Sequence, residues 1–144
     1  MKIPNISLTN LSGNKHILSD LIKSDKLNLI LFYNSNCLGC TGRAIPLAYN
    51  LLKQHSFIAL SVIHSNFGKK LVTQEEILSI FTEQYSPIEI YKEDHHKLYD
   101  FFNCEGTPHW ILMNGKSDIL YSFFGSQDGT QMKLQYAIDE YSLN

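Results

Sequence analysis

From Leu27 to Tyr33 the chain is apolar at every position but Asn28, too continuous for a strand with one wet face and suited to a central parallel strand. Phe57 to Ile63 reads as a second strand of that kind. Between them, Ala44 to His55 follows the helical period, with Ile45, Ala48, Leu52 and His55 on one face. Upstream, Ile3 to Leu8 alternates as a short strand does, Ser12-Gly13-Asn14 reads as a turn, and Ser19 is placed to N-cap a short helix ending at Lys23. Thr73-Gln74-Glu75-Glu76 has the form of a capping box and predicts a helix through Tyr85, with Ile77, Leu78, Phe81 and Tyr85 inward. Ile88 to Tyr91 reads as a short strand. Asp94 to Phe102 reads as a helix with Leu98, Phe101 and Phe102 inward. Trp110 to Met113 and Ile119 to Phe124 are antiparallel partners about an Asn114-Gly115 turn. Gln131 to Tyr141 closes as an amphipathic helix through Leu134, Ala137, Ile138 and Tyr141. This alternation predicts an α/β fold, a central mixed β-sheet flanked by helices on both faces with right-handed crossovers.

Composition narrows the function classes. The 144 residues are expected to form a single domain over 1–144, and 44% of them are apolar, as in an ordinary globular chain. The net charge is -2 and Arg43 is the sole arginine, so there is no basic face for nucleic acid. No apolar stretch approaches the roughly 20 residues of a membrane span. Met1-Lys2-Ile3-Pro4-Asn5 opens no apolar signal segment, which points to the cytoplasm, or to the periplasm or the outside if an export signal has been trimmed away. There is no internal repeat, low-complexity tract or linker.

The candidate chemistry lies in Cys37-Leu38-Gly39-Cys40, between the first buried strand and the helix after it. A strand ending in a short loop sets Cys37 at the edge of a sheet, and the following helix turns its free N–H groups and positive dipole end toward it, which favours a thiolate. Cys40 lies one turn further on, close enough to attack Cys37 in return. With three cysteines in all, the chain has no disulfide framework. A closed zinc site wants about four ligands, and only Cys104 and six scattered histidines remain. Cys40 is followed by Thr41, so the haem-attachment form C-x-x-C-H is absent.

Gly106-Thr107-Pro108 stands just before the Trp110 strand, where a residue without an N–H belongs. With both landmarks in view the chain resembles the thioredoxin superfamily, and within it the thiol-disulfide oxidoreductases of the TlpA/ResA type. Ile6-Ser7-Leu8 through Gly13 to Leu18-Ser19-Asp20-Leu21 is similar to that branch's N-terminal extension. Phe101-Phe102-Asn103-Cys104-Glu105-Gly106-Thr107-Pro108 is similar to the approach to the family's cis-proline. Asn114-Gly115-Lys116 and Gly125 are similar to the hairpin turn and the glycine beyond it, and the stretch from Cys37 to Pro108 leaves room for the branch's inserted helix and strand.

The resemblance implies a thioredoxin-like fold in which Cys37 attacks, Cys40 resolves and Pro108 lies in cis opposite the dithiol. It also implies that the Thr107 backbone pairs with an extended substrate segment, with Leu38 and Gly39 on the substrate side. No cofactor and no metal are called for. The partners implied are protein disulfides or dithiols and an upstream electron donor, met by a monomer. The chain departs from the pattern in having Asn36 where an aromatic is usual, Leu38-Gly39 between the cysteines, and Leu31 where thioredoxin has a buried acid. Pro46 comes one position late, which predicts a bulge in the active-site helix or a shifted start. Glu89, Glu93 and Asp94 are candidate substitutes for the missing acid. His109 can tune Cys37, or ligate copper with both thiols, or be an exposed or hydrogen-bonded loop histidine. Cys104 reads as a small buried hydrophobe, while His95, His96, Arg43 and Lys53 read as solvated and Trp110, Phe101 and Phe102 as core. Other readings are a thioredoxin-like copper carrier, an adaptor with an idle dithiol, and a peroxidase of the peroxiredoxin type, against which Asn34 stands where that family has threonine.

Overall fold

In the computed structural model, residues 2–81, 86–127 and 129–142 are described. Seven strands form one sheet in the order β2-β1-β5-β4-β3-β6-β7. At its centre β3 (Leu27–Tyr33) runs parallel to β4 (Ile58–His64) and antiparallel to β6 (His109–Met113). On one side β7 (Ile119–Phe124) pairs antiparallel with β6. On the other, β5 (Ile90–Lys92) lies parallel to β4, and the hairpin of β1 (Ser7–Asn10) and β2 (Lys15–Ile17) docks antiparallel on β5. All seven residues of β3 are buried, as its unbroken apolar run predicts.

Strand alternation separates two cores. Leu27, Leu29, Leu31 and Tyr33 of β3, with Trp110 and Leu112 of β6, meet α2 (Ile45–Gln54), α3 (Gln74–Leu78) and α5 (Thr130–Ser142) on one face. Ile30 and Phe32 of β3, with Ile111 and Met113 of β6, meet α1 (Leu18–Leu21) and α4 (Lys97–Phe101) on the other. Helices therefore cover both faces, as predicted. The buried amide of Asn28 breaks the run in β3 for a reason: it accepts from the Lys23 N–H and donates to the carbonyls of Lys23, Lys26 and Asn114, tying both loops at that end of the sheet.

Several boundaries differ from the sequence reading. Ser19 lies inside α1, which buried Leu18 opens from the extended Ile17 without a side-chain cap. Strand β2 has three residues and no alternation, so periodicity missed it. Thr73 does cap α3, its Oγ1 accepting the Glu76 N–H at 3.1 Å, but α3 ends at Leu78. There the Ser79 hydroxyl takes the Glu76 carbonyl and the Phe81 N–H turns back to Leu78, so the helical ladder is lost. Tyr85 lies outside the described residues. Phe101 is 37% exposed and packs edge-on against buried Phe102 at 5.0 Å, so it is not a core residue. The β6–β7 connection is a five-residue loop in which Asn114 Oδ1 accepts the N–H groups of Lys116 and Asp118, and the positive φ falls on Ser117. Gly115 is required there by contact, since a Cβ would strike the Ser24 carbonyl.

Candidate active site

The site forms where the carboxyl end of β3 meets the first turn of the helix that becomes α2. Helical backbone runs over 38–54, so Cys37 occupies the N-cap position. Its Sγ accepts the Cys40 N–H at 3.2 Å, as a capping side chain does, and Cys40 N–H and Thr41 N–H also turn toward the Cys37 carbonyl at 3.1 and 3.2 Å. Across the gap Cys37 Sγ donates to the Thr107 carbonyl at 3.3 Å. The Thr107–Pro108 bond is cis. Cys37 is half-buried and Cys40 fully buried. Burial, and then the hydrogen bond with Cys37, push the Cys40 thiol up to about 12. The pair thus offers one reachable sulfur and one sheltered behind it.

Between Cys40 and Ala44 the helix makes a π turn, closed by the Ile45 N–H on the Cys40 carbonyl. This is the bulge that the late Pro46 predicts. Pro46 has no N–H, and its ring would crowd the carbonyl four residues back in an α-helical turn; one extra residue in the turn moves it to the start of α2. Gly39 is the other local requirement, since a Cβ there would strike the Ser126 hydroxyl from the loop after β7. The loop 34–36 is tied to the end of β4. Asn34 Nδ2 donates to the Ser65 carbonyl at 2.8 Å, its Oδ1 accepts the Asn36 N–H at 2.9 Å, and the Ser35 N–H donates to His64 Nε2 at 3.1 Å.

His64 and Tyr33 are site residues that the sequence reading missed. They stand opposite each other in register on β4 and β3, with rings edge-to-face at 5.1 Å, and Tyr33 shares the buried cluster of Cys40. Burial holds His64 down at about 4, so the ring is neutral. Polar residues at the carboxyl ends of adjoining apolar strands were the available signal, because such ends are where parallel sheets place their sites.

Other candidates lie elsewhere. His109 is not in a loop: it opens β6, is buried, hydrogen-bonds Ser122 Oγ at 2.8 Å and the Glu105 N–H at 3.4 Å, and by strand alternation faces away from Cys40 with Ile111 and Met113. Burial lowers its affinity for a proton, and the arrangement gives it no tuning contact with Cys37 and no shared copper site. Glu93 is buried but binds the Ser65 hydroxyl at 2.6 Å and the Leu98 and Tyr99 N–H groups at 2.8 and 3.2 Å, capping α4 instead of serving the dithiol. Glu89 and Asp94 are exposed, Asp94 pairing with Lys92. Cys104 packs against the opposite core, where burial pushes its thiol up to about 12. His95 is exposed, whereas His96 pairs with Asp100 at 2.9 Å and stacks on Phe67. Lys53 lies over the Tyr49 ring and Arg43 donates to the Ser126 carbonyl, so neither is merely solvated. Among the described residues no three His, Cys, Asp or Glu side chains gather as a metal site. None of the described helices is long and apolar enough to cross a membrane.

No protein-family model and no curated protein matches the chain. Solved structures do. A candidate thiol:disulfide interchange protein DsbE from Chlorobium tepidum aligns with a TM-score of 0.78 over 96% of this chain and 94% of its own, at 14% identity. The fold is thioredoxin-like. A secreted Mycobacterium tuberculosis disulfide oxidoreductase homologous to E. coli DsbE aligns with a TM-score of 0.71 over 94% of this chain and 96% of its own, at 12% identity. The exposed lipoprotein thioredoxin Etrx1 of Streptococcus pneumoniae gives 0.73 over 94% and 99%, at 15% identity. In this thioredoxin-like frame the β1–β2 hairpin is the N-terminal extension, and α3 with β5, which pairs parallel with β4, follows β4 in the chain.

Proposed function

We propose that the chain is a thiol-disulfide oxidoreductase, one domain acting as a monomer on protein substrates and running as a reductase. The observation that carries the reading is the pairing of a half-buried Cys37, capped by the Cys40 N–H and set against the Thr107 carbonyl, with a fully buried Cys40 one turn behind. The Cys37 thiolate attacks a substrate disulfide, forming a mixed disulfide and expelling one substrate sulfur as thiolate. The Cys40 thiolate then attacks Cys37 Sγ and expels the second substrate sulfur. Two electrons pass to the substrate, the Cys37–Cys40 disulfide remains, and an upstream dithiol restores the pair. A reductase direction goes with a reducing compartment.

The substrate seat is the cleft of about 330 Å³ beside the dithiol, lined by Thr107, Pro108, Phe124, Ser126, Thr130 and Lys133. An extended substrate segment pairs with the Thr107 backbone there, as an added strand does. Leu38, 86% exposed at the lip, supplies apolar contact, and Gly39 lets Ser126 approach.

Reduction of a protein disulfide such as that of insulin tests the reading. Cys37→Ser should abolish turnover, and Cys40→Ser should stop it after one event and accumulate a mixed disulfide visible by mass spectrometry. Leu38→Ser should weaken KM for insulin several-fold while leaving a small aromatic disulfide unaffected. Full activity in Cys37→Ser would overturn the proposal.

A further inference from the structure

We propose that Trp110 is a positioning residue for the substrate: its indole N–H holds the Gly125 carbonyl and thereby fixes the spacing between the two stretches of chain that line the cleft beside the dithiol. The inference rests on the dithiol reading and on the substrate seat proposed above.

Trp110 lies in β6, paired with Leu31 of β3 on one side and Phe123 of β7 on the other, and is fully buried. Its ring fills the core, and its N–H needs an acceptor there. Nε1 donates to the Gly125 carbonyl at 3.0 Å. The place of that acceptor gives the bond its consequence. The pairing of β6 with β7 ends at His109 opposite Phe124, so Gly125 lies just past the ladder. Its N–H donates to the Pro108 carbonyl at 2.9 Å. Both polar groups of the Gly125 backbone are thus held by the segment 108–110. Its φ of +133° is one that L side chains rarely adopt, which suits glycine to this twice-held position.

The cleft is lined by Thr107 and Pro108 from one stretch of chain, and by Phe124, Gly125 and Ser126 from another. The two bonds to Gly125 tie these stretches together. The second stretch also reaches the dithiol, because Ser126 abuts Gly39 between the two cysteines. Trp110 stands behind the lining and acts on a substrate only through this loop. Without the indole N–H, one of the two ties is lost and the Gly125 carbonyl turns to water. The loop must then be ordered as the substrate segment enters, and that ordering is subtracted from affinity. Cys37 Sγ is held by the Cys40 N–H and the Thr107 carbonyl, neither of which bonds to Trp110. The loss therefore belongs in substrate affinity and not in the attack of the sulfur.

Trp110→Phe keeps an aromatic ring and removes the donor. With insulin as substrate and dithiothreitol as the upstream donor, KM should rise about fivefold, the factor that one neutral hydrogen bond is worth, while kcat holds. Attack by Cys37 on 5,5′-dithiobis(2-nitrobenzoate), which has no extended segment to seat, should keep its wild-type rate. A residue that only fills the core would lower the melting temperature and leave KM for insulin unchanged well below it, and that result overturns the proposal. An equal loss on insulin and on the small disulfide overturns it too. If Trp110→Phe does not fold, β-(3-benzothienyl)alanine placed at position 110 keeps the shape of the ring system and puts sulfur where the N–H was. It should give the same rise in KM, and a wild-type KM overturns the proposal. Failure of the dithiol reading looks different: insulin reduction would then persist in Cys37→Ser.

Discussion

The backbone N–H of Cys40 donates to Cys37 Sγ over 3.2 Å, so Cys37 caps the helix to which Cys40 belongs. The reachable sulfur and the sheltered one are thereby held by one turn of backbone. The same turn makes them chemically unequal. The N-cap lies at the edge of the sheet, whereas the residue three positions on is already covered by β3 and β6.

That inequality is measurable without a substrate. Reduced native protein treated with iodoacetamide near pH 8 should carry label on Cys37 first. Cys40 and Cys104, each sheltered and pushed up to about 12, should label slower by at least about a hundredfold, since each pKa unit above the working pH removes about nine-tenths of the remaining thiolate. Mass spectrometry of peptides over a time course reads the three sites separately. Comparable rates at Cys37 and Cys40 would contradict the geometry.

A second consequence concerns Gly39 and Ser126. Gly39 has ordinary helical angles, φ -66° and ψ -27°, so alanine would by itself improve the helix by about 1 kcal/mol. The obstacle is the Ser126 side chain, whose hydroxyl the new Cβ would strike and whose own Cβ would lie 3.2 Å away. Gly39→Ala alone should therefore destabilise, by about 1 kcal/mol or more, as overpacking does. In a Ser126→Gly background the same change should stabilise. Urea unfolding of the four proteins gives the coupling directly, and additivity within a few tenths of a kcal/mol would remove Ser126 as the reason for the glycine.

The sequence was most readable where one element decides the pattern. The apolar runs of β3 and β4, the helical period of α5 and the Cys37–Cys40 spacing each belong to a single segment, and each led to the right element. The late Pro46 even announced the π turn, since one surplus residue in a helix has few places to go. What stayed hidden depends on two segments meeting. Strand β2 exists because β1 pairs with it. His64 is a buried site residue only because parallel register sets it against Tyr33, and Phe101 is exposed although its neighbour Phe102 is core. His109 and Glu93 show the same limit in reverse. They have the chemistry of a site, yet strand alternation and the start of α4 bind them to structural partners on the other side of the sheet.

His64 also sets how stability responds to acid. Burial first, and then Lys92, hold its ring down at about 4, against about 6.5 in the unfolded chain. Between those values the unfolded state binds more protons than the folded one, so stability rises with pH through the window and the full contribution is present above about 6.5. Buried Glu93 is shifted the opposite way, raised by desolvation, so its carboxylate costs stability as pH climbs above the unfolded value of 4.5 and partly offsets the histidine. The net expectation is a melting temperature that falls from neutral pH toward pH 4.5, the histidine contributing on the order of 3 kcal/mol across its window. His64→Gln keeps an acceptor for the Ser35 N–H and removes the titration. It should flatten the slope of melting temperature against pH, because what then remains is buried His109, also held down by burial, acting against Glu93. A slope equal to that of the wild type would mean that His64 is not the buried neutral group that ties the active-site loop to β4.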